Sequence, residues 1–164
     1  MFSVILRKKY NTWQKYINEK EEGSMYRKST LLDVDGIHEL ICLLVGHDLD
    51  KTTFASLYEK QVQDPNHYCL VDDRNGVLYG VMNMRFEGQL HHGGMTAEII
   101  EFFVREEARG KGTGREMLEI GKELARKRGC VLIEVTSKIK RVDAHRFYVR
   151  EELEHTHFKF VNEF

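Results

Sequence analysis

The stretch that decides the fold is Arg109-Gly110-Lys111-Gly112-Thr113-Gly114, which lies between a predicted strand and a predicted helix. Three glycines in five positions allow the backbone to approach a ligand closely. The free N–H groups at the start of a helix, together with the positive end of its dipole, favour a phosphate group. Arg109, Lys111 and Arg115 add positive charge. This glycine loop therefore predicts a polyphosphate site; the alternative is a flexible loop without a ligand.

Two familiar phosphate-binding motifs do not fit the glycine loop. A Walker loop has four residues between its first glycine and a Gly-Lys-Ser/Thr triplet, and that spacing does not occur here. A dinucleotide fingerprint needs a third glycine where Arg115 stands. In addition, residues 105–109 separate the preceding strand from the first glycine, which is a longer connection than a Rossmann turn.

The segments around the glycine loop alternate between strand and helix patterns. Thr96 to Val104, rich in Ile and Phe, is predicted to be a strand. Helical spacing of apolar residues predicts a helix from Gly112 to Arg128, and the apolar run Cys130 to Val135 predicts a strand buried on both faces. The last part is expected to hold a helix capped by Asp143, which carries Ala144, Phe147 and Tyr148, and a final strand from His155 to Val161.

The first half of the domain is predicted to supply a strand, two helices and a hairpin. The expected elements are a strand from Lys28 to Leu32, a helix capped by Asp33 or Asp35, a helix from Thr53 to Gln63, and strands from Tyr68 to Asp72 and from Val77 to Phe86. Asn75-Gly76 favours a tight turn between the last two. Strands followed by a strand-helix-strand-helix unit predict an α+β or mixed α/β fold.

Length and charge limit the kind of protein. A chain of 164 residues, 41% hydrophobic, fits one globular domain. Its 26 acidic residues against 25 Lys and Arg leave no overall electrostatic footprint for nucleic acid. No apolar run is long enough to cross a bilayer, and no signal peptide pattern opens the chain, so we expect a soluble protein. Three widely spaced cysteines indicate no disulfide framework and favour a reducing, cytoplasmic compartment.

Two regions are expected along the chain. Residues 1–24 are predicted to be an N-terminal appendage, which is either helical around Trp13 or derived from an expression vector. Gly23-Ser24-Met25 fits a linker or a cloning junction. Residues 25–164 are predicted to form the domain itself.

The order of elements and the loop motif together carry a family resemblance. Arg109-x-x-Gly112-x-Gly114 fits the signature (Gln/Arg)-x-x-Gly-x-(Gly/Ala) and follows a strand that ends Glu101-Phe102-Phe103-Val104. This resembles the GNAT superfamily of N-acetyltransferases, and the resemblance covers Tyr26 to Phe164. It implies a central, mostly antiparallel twisted sheet with one splayed strand pair, flanked by helices. It also implies that the loop holds the pyrophosphate of acetyl-CoA.

One subfamily is more similar still. Six segments together resemble the aminoalkylphosphonate N-acetyltransferases: Asp64-Pro65-Asn66, Leu90-His91-His92, Glu98-Ile99-x-Glu101, Ala108-Arg109-Gly110, Lys140-Arg141-x-Asp143-Ala144-His145-Arg146-Phe147-Tyr148 and His157-Phe158-x-Phe160. Two departures from the wider superfamily stand at Arg141, where Asn is frequent, and at Glu152-Leu153, where a Gly-aromatic pair is usual. The first is shared with the subfamily.

The resemblance implies roles for residues in and after the strand before the loop. Glu98 is expected to be the general base, with Glu101 as a second carboxylate, and Tyr148 the general acid that protonates the CoA sulfur. From the residues alone, either acid can be a surface or ion-paired group and Tyr148 a core residue. The expected acetyl-CoA contacts are backbone groups of Phe102, Phe103 and Val104 and the loop residues Arg109, Gly110, Lys111, Gly112, Thr113, Gly114 and Arg115.

A phosphonate acceptor needs cations near its amine site. The candidates are His91, His92, Arg85, Arg141 and His145. The subfamily is also associated with a divalent metal, for which Glu98 and a loop histidine are the candidate ligands. His155 and His157 would share one face of a strand, yet no third ligand stands at a familiar spacing.

The sequence therefore predicts an acetyl-CoA-dependent N-acetyltransferase of a small primary amine, with an aminoalkylphosphonate as the expected substrate and direct attack by the amine. A homodimer is also expected from the family. Three alternatives stay open: acetylation of another small amine or of a protein amine, a non-catalytic CoA-binding regulatory module, and a nucleic-acid regulator. The last would use Lys122, Arg126, Lys127 and Arg128, which Glu119 and Glu123 interrupt.

Overall fold

One five-stranded sheet organises the domain. The computed structural model describes residues 25–164, and the predicted N-terminal appendage lies outside the described residues. The strands follow each other across the sheet as β1 Tyr26–Lys28, β2 His67–Arg74, β3 Val77–Gln89, β4 Gly94–Val104 and β5 Leu132–Val135. All neighbours are antiparallel except β4 and β5, which are parallel. The predicted α+β fold with a mostly antiparallel sheet is confirmed.

Helices cover both faces of this sheet. Helices α1 Val34–Val45 and α2 Lys51–Gln63 pack on one face, and α3 Thr113–Lys127 and α4 Val142–Arg150 lie on the other. Side chains alternate between the faces along each strand, so each face has its own apolar core. The core under α3 includes Met82, Met84, Ile99, Met117 and Leu118, and the core under α1 includes Leu40, Val71 and Val81.

The hairpin between β2 and β3 forms at the predicted turn. Asn75 has a φ of 56° and Gly76 a φ of 84°, as the tight hairpin turn requires. Strand β2 is longer than predicted, because its pairing with β3 runs from His67 opposite Arg85 to Arg74 opposite Val77. Strand β3 is longer because its pairing with β4 continues to Gln89, opposite Gly94.

Three predicted local features near helix starts are wrong. The first strand ends at Lys28, and Leu31–Asp33 forms a 3-10 turn capped by Thr30. Asp33 stands before α1 without capping it, because its carboxylate accepts hydrogen bonds from Thr30 and Arg27 instead. Asp143 does not cap α4 either; it lies inside the helix and pairs with Arg146 at 3.2 Å.

The predicted final strand from His155 to Val161 is also wrong. No strand follows α4 within the described residues, and the side chains of Phe158 and Phe160 are 79% and 92% exposed. The alternating pattern is present, but no neighbouring strand pairs with it in residues 25–164. For the same reason β5 is half-buried rather than buried on both faces, since within this range it pairs only with β4.

Candidate active site

A β-bulge in β4 decides where the two predicted catalytic acids point. Glu101 lies opposite Asn83 of β3, and Ile99 lies opposite the next residue, Met84, so Ile100 faces no residue of β3. In a regular strand, residues three positions apart point to opposite faces of the sheet. The extra residue of the bulge reverses this for Glu98 and Glu101. Glu98 and Glu101 therefore lie on the same face of the sheet, the one that α1 and α2 cover.

Polar side chains from four strands meet on this face. The strand registers place His67, Arg85, Glu98 and Glu134 in one row across the sheet, and Cys69, Asn83 and Glu101 in the adjacent row. Directly opposite side chains are close enough to interact. We call His67, Asn83, Arg85, Glu98, Glu101 and Glu134 the polar face.

Glu101 is the more enclosed of the two acids. Its Oε2 accepts a hydrogen bond of 2.8 Å from Nδ2 of Asn83. Burial raises the pKa of its carboxyl above the ordinary value, the hydrogen bond from Asn83 opposes this, and the negative charge of Glu98 adds to it. A carboxylate with a raised pKa is a stronger proton acceptor, so Glu101 has the property that a general base near neutral pH needs.

Glu98 is held in an ion pair. Its Oε2 lies 2.8 Å from Nη2 of Arg85, and the same nitrogen is 3.2 Å from Glu87. The guanidinium is partly exposed, while its Nε is buried and has no hydrogen-bond partner among the described atoms. Arg85 is therefore the ion-pair partner of Glu98 and supplies a positive charge within the polar face.

The sheet opens beside these acids. Pairing of β5 with β4 ends at Ile99, opposite Val135. From residue 100 to residue 104, the edge of β4 that faces β5 has no strand partner within residues 25–164. The expected splaying of this strand pair is thus present, and the backbone of Phe102, Phe103 and Val104 is available along that edge.

The glycine loop comes shortly after this open edge in the chain. After a 3-10 turn at Glu106–Ala108, Gly110 and Gly112 adopt φ values of 71° and 92°, and α3 begins at Thr113. The first N–H groups of a helix have no acceptor within it, so they are available to an anion. Lys111 and Arg115 are exposed beside them. These donors fit a pyrophosphate group.

Arg109, at the start of the glycine loop, contacts the end of β4, and its predicted contact with acetyl-CoA stays a prediction. Its Nε donates to the carbonyl oxygen of Val104 at 2.9 Å, and its guanidinium carbon lies 5.2 Å from the centre of the Phe103 ring. Arg109 therefore ties the loop to the end of β4.

Helix α4 brings Tyr148 to the same region. The Phe147 ring lies edge-on to Phe102 of β4, with ring centres 6.0 Å apart, and a Cβ on Gly114 would be 3.5 Å from it. Tyr148 is the next residue, and its ring is 5.3 Å from that of Phe147. Burial raises the pKa of Tyr148 to about 12, so the phenol keeps its proton at neutral pH.

The other predicted substrate cations are scattered. Nη2 of Arg141 donates to the carbonyl oxygen of Leu44 at 2.7 Å, at the end of α1, and Nε2 of His145 lies 3.0 Å from the carbonyl oxygen of Lys138. The rings of His91 and His92 lie 4.1 Å apart and tilted by 43° in the turn between β3 and β4. Of the five candidates, Arg85 alone is bonded to a predicted catalytic acid in the described part of the chain.

The metal expectation does not fit this arrangement. Residues 25–164 contain no group of three His, Cys, Asp or Glu side chains placed to hold a metal ion. The carboxylate of Glu98 is bonded to a guanidinium, which is a poor start for a metal ligand. We therefore assign no role in acetyl transfer to a metal ion.

Sequence reasoning missed several members of the polar face. Asn83 stands in the run Val81-Met82-Asn83-Met84, where a polar residue in an apolar strand is a recognisable signal. His67 of β2, and Gln61 of α2, which contacts the polar face through Asn83, gave no such signal, because residues 59–67 are mostly polar. Only the strand register shows that Glu134 stands beside Glu98.

A family comparison agrees with this geometry. The Acetyltransferase (GNAT) family matches residues 35–152. The chain belongs to this family. The match includes both carboxylates, the glycine loop and Tyr148, and the protein is therefore an acyltransferase of the GNAT type.

Individual relatives refine the comparison. The aminoalkylphosphonate N-acetyltransferase of Salmonella typhimurium is 37% identical over 135 residues, which cover 82% of this chain and 88% of that protein. This is the subfamily that the sequence motifs resemble.

Solved structures of similar proteins confirm the fold. A transcriptional regulator from Bacillus halodurans superposes with a TM-score of 0.79 at 23% identity, over 85% of this chain and 98% of that one. An aminoglycoside N-acetyltransferase in complex with CoA gives a TM-score of 0.74 at 13% identity, over 84% and 92% of the two chains. Separately, none of the helices in residues 25–164 has the length and apolar character of a membrane span.

Proposed function

We propose that this GNAT protein transfers the acetyl group of acetyl-CoA to the primary amine of an aminoalkylphosphonate. The observation that carries the proposal is the bulge at Ile100. It turns Glu98 and Glu101 onto one face at the point where β5 leaves β4, so a proton acceptor stands beside an edge of β4 that has no strand partner in residues 25–164. The similarity to the aminoalkylphosphonate N-acetyltransferase of Salmonella typhimurium supports the choice of substrate class.

Acetyl-CoA is proposed to lie along the open edge of β4. Its pyrophosphate would receive hydrogen bonds from the N–H groups at the start of α3, with Lys111 and Arg115 adding positive charge. The backbone N–H groups of Phe102 to Val104 would face the pantetheine and the acetyl oxygen, and a donor there stabilises the oxyanion that forms during attack.

We assign the general base to Glu101. Acetyl transfer needs a neutral amine, so the substrate ammonium must lose a proton before attack. The resemblance assigns this role to Glu98, but the Glu98 carboxylate is paired with Arg85, whereas burial raises the pKa of Glu101. Glu98 and Glu134 would then attract the ammonium to the polar face.

The amine nitrogen attacks the thioester carbon and forms a tetrahedral intermediate. When the intermediate collapses, the carbon–sulfur bond breaks and the thiolate takes a proton. Tyr148 is the proposed donor, because burial keeps its phenol protonated and its neighbour Phe147, whose ring it contacts, packs against Phe102 of β4.

Arg85 is proposed to bind the phosphonate. Of the five predicted cations, it is the one that belongs to the polar face. A guanidinium matches the paired oxygens of a phosphonate. An aminoalkylphosphonate carries opposite charges at its two ends, and the polar face places carboxylates beside a guanidinium.

The test is an acetyl-CoA turnover screen that measures release of free thiol. Aminoalkylphosphonates, polyamines, aminoglycosides and a peptide amine would be compared, with the products identified by mass spectrometry. The proposal predicts turnover with aminoalkylphosphonates above all other amines. Turnover confined to another class would reject the substrate, and CoA binding without turnover on any amine would favour a non-catalytic module.

Gly112→Ala is expected to weaken acetyl-CoA binding. Gly112 has a φ of 92°, which costs a residue with a side chain about 1–2 kcal/mol, and a shifted loop would misplace the N–H groups of α3. We expect KM for acetyl-CoA to rise about tenfold, the equivalent of 1.4 kcal/mol.

Gly129→Ala is the matched control for Gly112→Ala. Its φ of 75° is also unfavourable for alanine, but Gly129 follows the far end of α3, which ends at Lys127. It should lower the unfolding temperature and leave KM for acetyl-CoA unchanged. Equal KM values for both variants and the wild type would contradict the proposed pyrophosphate site.

Arg85→Met is expected to raise KM for the phosphonate acceptor. Loss of a charge-assisted contact of about 1.5–3 kcal/mol predicts an increase of roughly 10- to 100-fold. KM for acetyl-CoA should not change. Arg146→Met, which removes an exposed arginine paired with Asp143 on α4, is the control. An unchanged phosphonate KM in Arg85→Met would remove Arg85 from the acceptor site.

A further inference from the structure

Asn83 is a buried polar residue of the polar face, in the strand β3. Its neighbours in β3, Met82 and Met84, are fully buried, and Asn83 itself is only 9% exposed. A buried amide is costly unless it is hydrogen-bonded. Its partners therefore indicate why an amide rather than an apolar side chain stands there.

The two hydrogens of the Asn83 amide have different acceptors. Nδ2 donates to Oε2 of Glu101 at 2.8 Å and to Oε1 of Gln61 at 2.8 Å. The Glu101 carboxylate requires the amide nitrogen on that side, because an ionised carboxylate has no hydrogen to donate, and Gln61 meets the same nitrogen with its amide oxygen. The opposite atom, Oδ1, is buried without a partner among the described atoms, and Asn83 lines a small cavity together with Ser29 and His67.

We infer that Asn83, oriented by Gln61 of α2, is a positioning residue that holds the Glu101 carboxylate in place as proton acceptor. The inference rests on the proposed role of Glu101 as the general base. Asn83 thus links helix α2 to the proposed base, because its amide nitrogen donates one hydrogen bond to Gln61 and one to Glu101. Loss of either bond should change the protonation of Glu101 without removing any group that touches the substrate.

The charged groups around Glu101 determine the direction of that change. Glu98 on its own strand disfavours a second negative charge, and His67 of β2, when protonated, favours it. Arg85 of β3 is paired with Glu98, Cys69 of β2 is uncharged because burial raises the pKa of its thiol to about 12, and Lys28 of β1 lines the cavity beyond Asn83. Without the hydrogen bond from Asn83, burial and Glu98 predominate, so the pKa of Glu101 should rise.

The test follows the Glu101 carboxyl directly. Carbon-13 NMR of side-chain carboxyls, with the Glu101 signal assigned from Glu101→Gln, gives its titration midpoint in the wild type, Asn83→Leu and Gln61→Met. The pH profile of kcat/KM for an aminoalkylphosphonate is measured in parallel. We expect both midpoints to rise by about one pH unit in Asn83→Leu, which corresponds to one ordinary hydrogen bond, and by less in Gln61→Met.

Gln63→Met is the matched control, because Gln63 lies on the same helix and its amide points to Glu59. It should move neither midpoint. If Asn83→Leu does not fold, Gln61→Met decides alone. An NMR midpoint of Glu101 that stays at the wild-type value in the folded variants overturns the inference. If the NMR midpoint of Glu101 shifts but the pH profile of kcat/KM does not, Asn83 still positions the Glu101 carboxylate, and the role of Glu101 as the base is overturned.

Discussion

Replacing Glu101 with glutamine is expected to lower kcat/KM for the acceptor amine by about 10²- to 10⁴-fold, the usual contribution of a general base. Glutamine keeps an oxygen that can accept the hydrogen bond from Asn83, yet it cannot take a proton from the substrate ammonium. The acid limb of the wild-type pH profile, which should lie above the ordinary carboxyl range because burial raises the pKa of Glu101, should vanish in this variant.

Stability gives this experiment its control. Since the pKa of Glu101 is raised in the folded protein, folding favours its protonated form, and its charge costs stability at pH values above that pKa. Glu101→Gln removes this cost, so its unfolding temperature at pH 8 should equal or exceed that of the wild type. Loss of activity can then not be attributed to unfolding.

The variant Glu98→Gln distinguishes the role of Glu98 from that of Glu101. It weakens the pair with Arg85 and should raise KM for the amine more than it lowers kcat, because Glu98 is assigned to attracting the ammonium. A larger fall in kcat for Glu98→Gln than for Glu101→Gln would return the role of base to Glu98, as the family resemblance implies.

Tyr148→Phe is expected to lower kcat by about 10²-fold or more, since general acids contribute on a similar scale to general bases. The phenylalanine ring keeps the packing against Phe147 and removes the proton that the departing thiolate would receive. The measurement is kcat under saturating acetyl-CoA and amine.

Binding of CoA is the control for Tyr148→Phe. The Kd for CoA, measured by calorimetry, should stay near the wild-type value, because the pyrophosphate contacts lie on the glycine loop. An undiminished kcat across the pH range would exclude Tyr148 from proton transfer and leave it as a packing residue of α4.

The features that the sequence predicted well depend on local chemistry. The turn at Asn75-Gly76 requires positive φ values that these residues adopt readily, and α3 follows from its apolar spacing and the preceding glycines. The α+β order of elements and the family membership follow from the same segments.

What the sequence could not supply depends on register and pairing. The bulge at Ile100 is visible only when β4 is aligned with β3, and without it Glu98 and Glu101 would point to opposite faces. The ion pair of Arg85 with Glu98 joins residues 13 positions apart, and the hydrogen bonds of Asn83 to Glu101 and Gln61 join residues 18 and 22 positions apart, so local sequence patterns do not show them. The strand predicted from His155 to Val161 has the right alternation but no pairing partner in the described chain.

The most direct measurement is the ratio of kcat/KM values for an aminoalkylphosphonate and for the alkylamine of equal length that lacks the phosphonate, with acetyl-CoA as donor. If Arg85 binds the phosphonate while Glu101 accepts the amine proton, the ratio in the wild type should lie between about 10 and 100, as the loss of one charge-assisted contact predicts. It should fall towards one in Arg85→Met. A wild-type ratio of one, or no acetylation of either amine, would contradict the account.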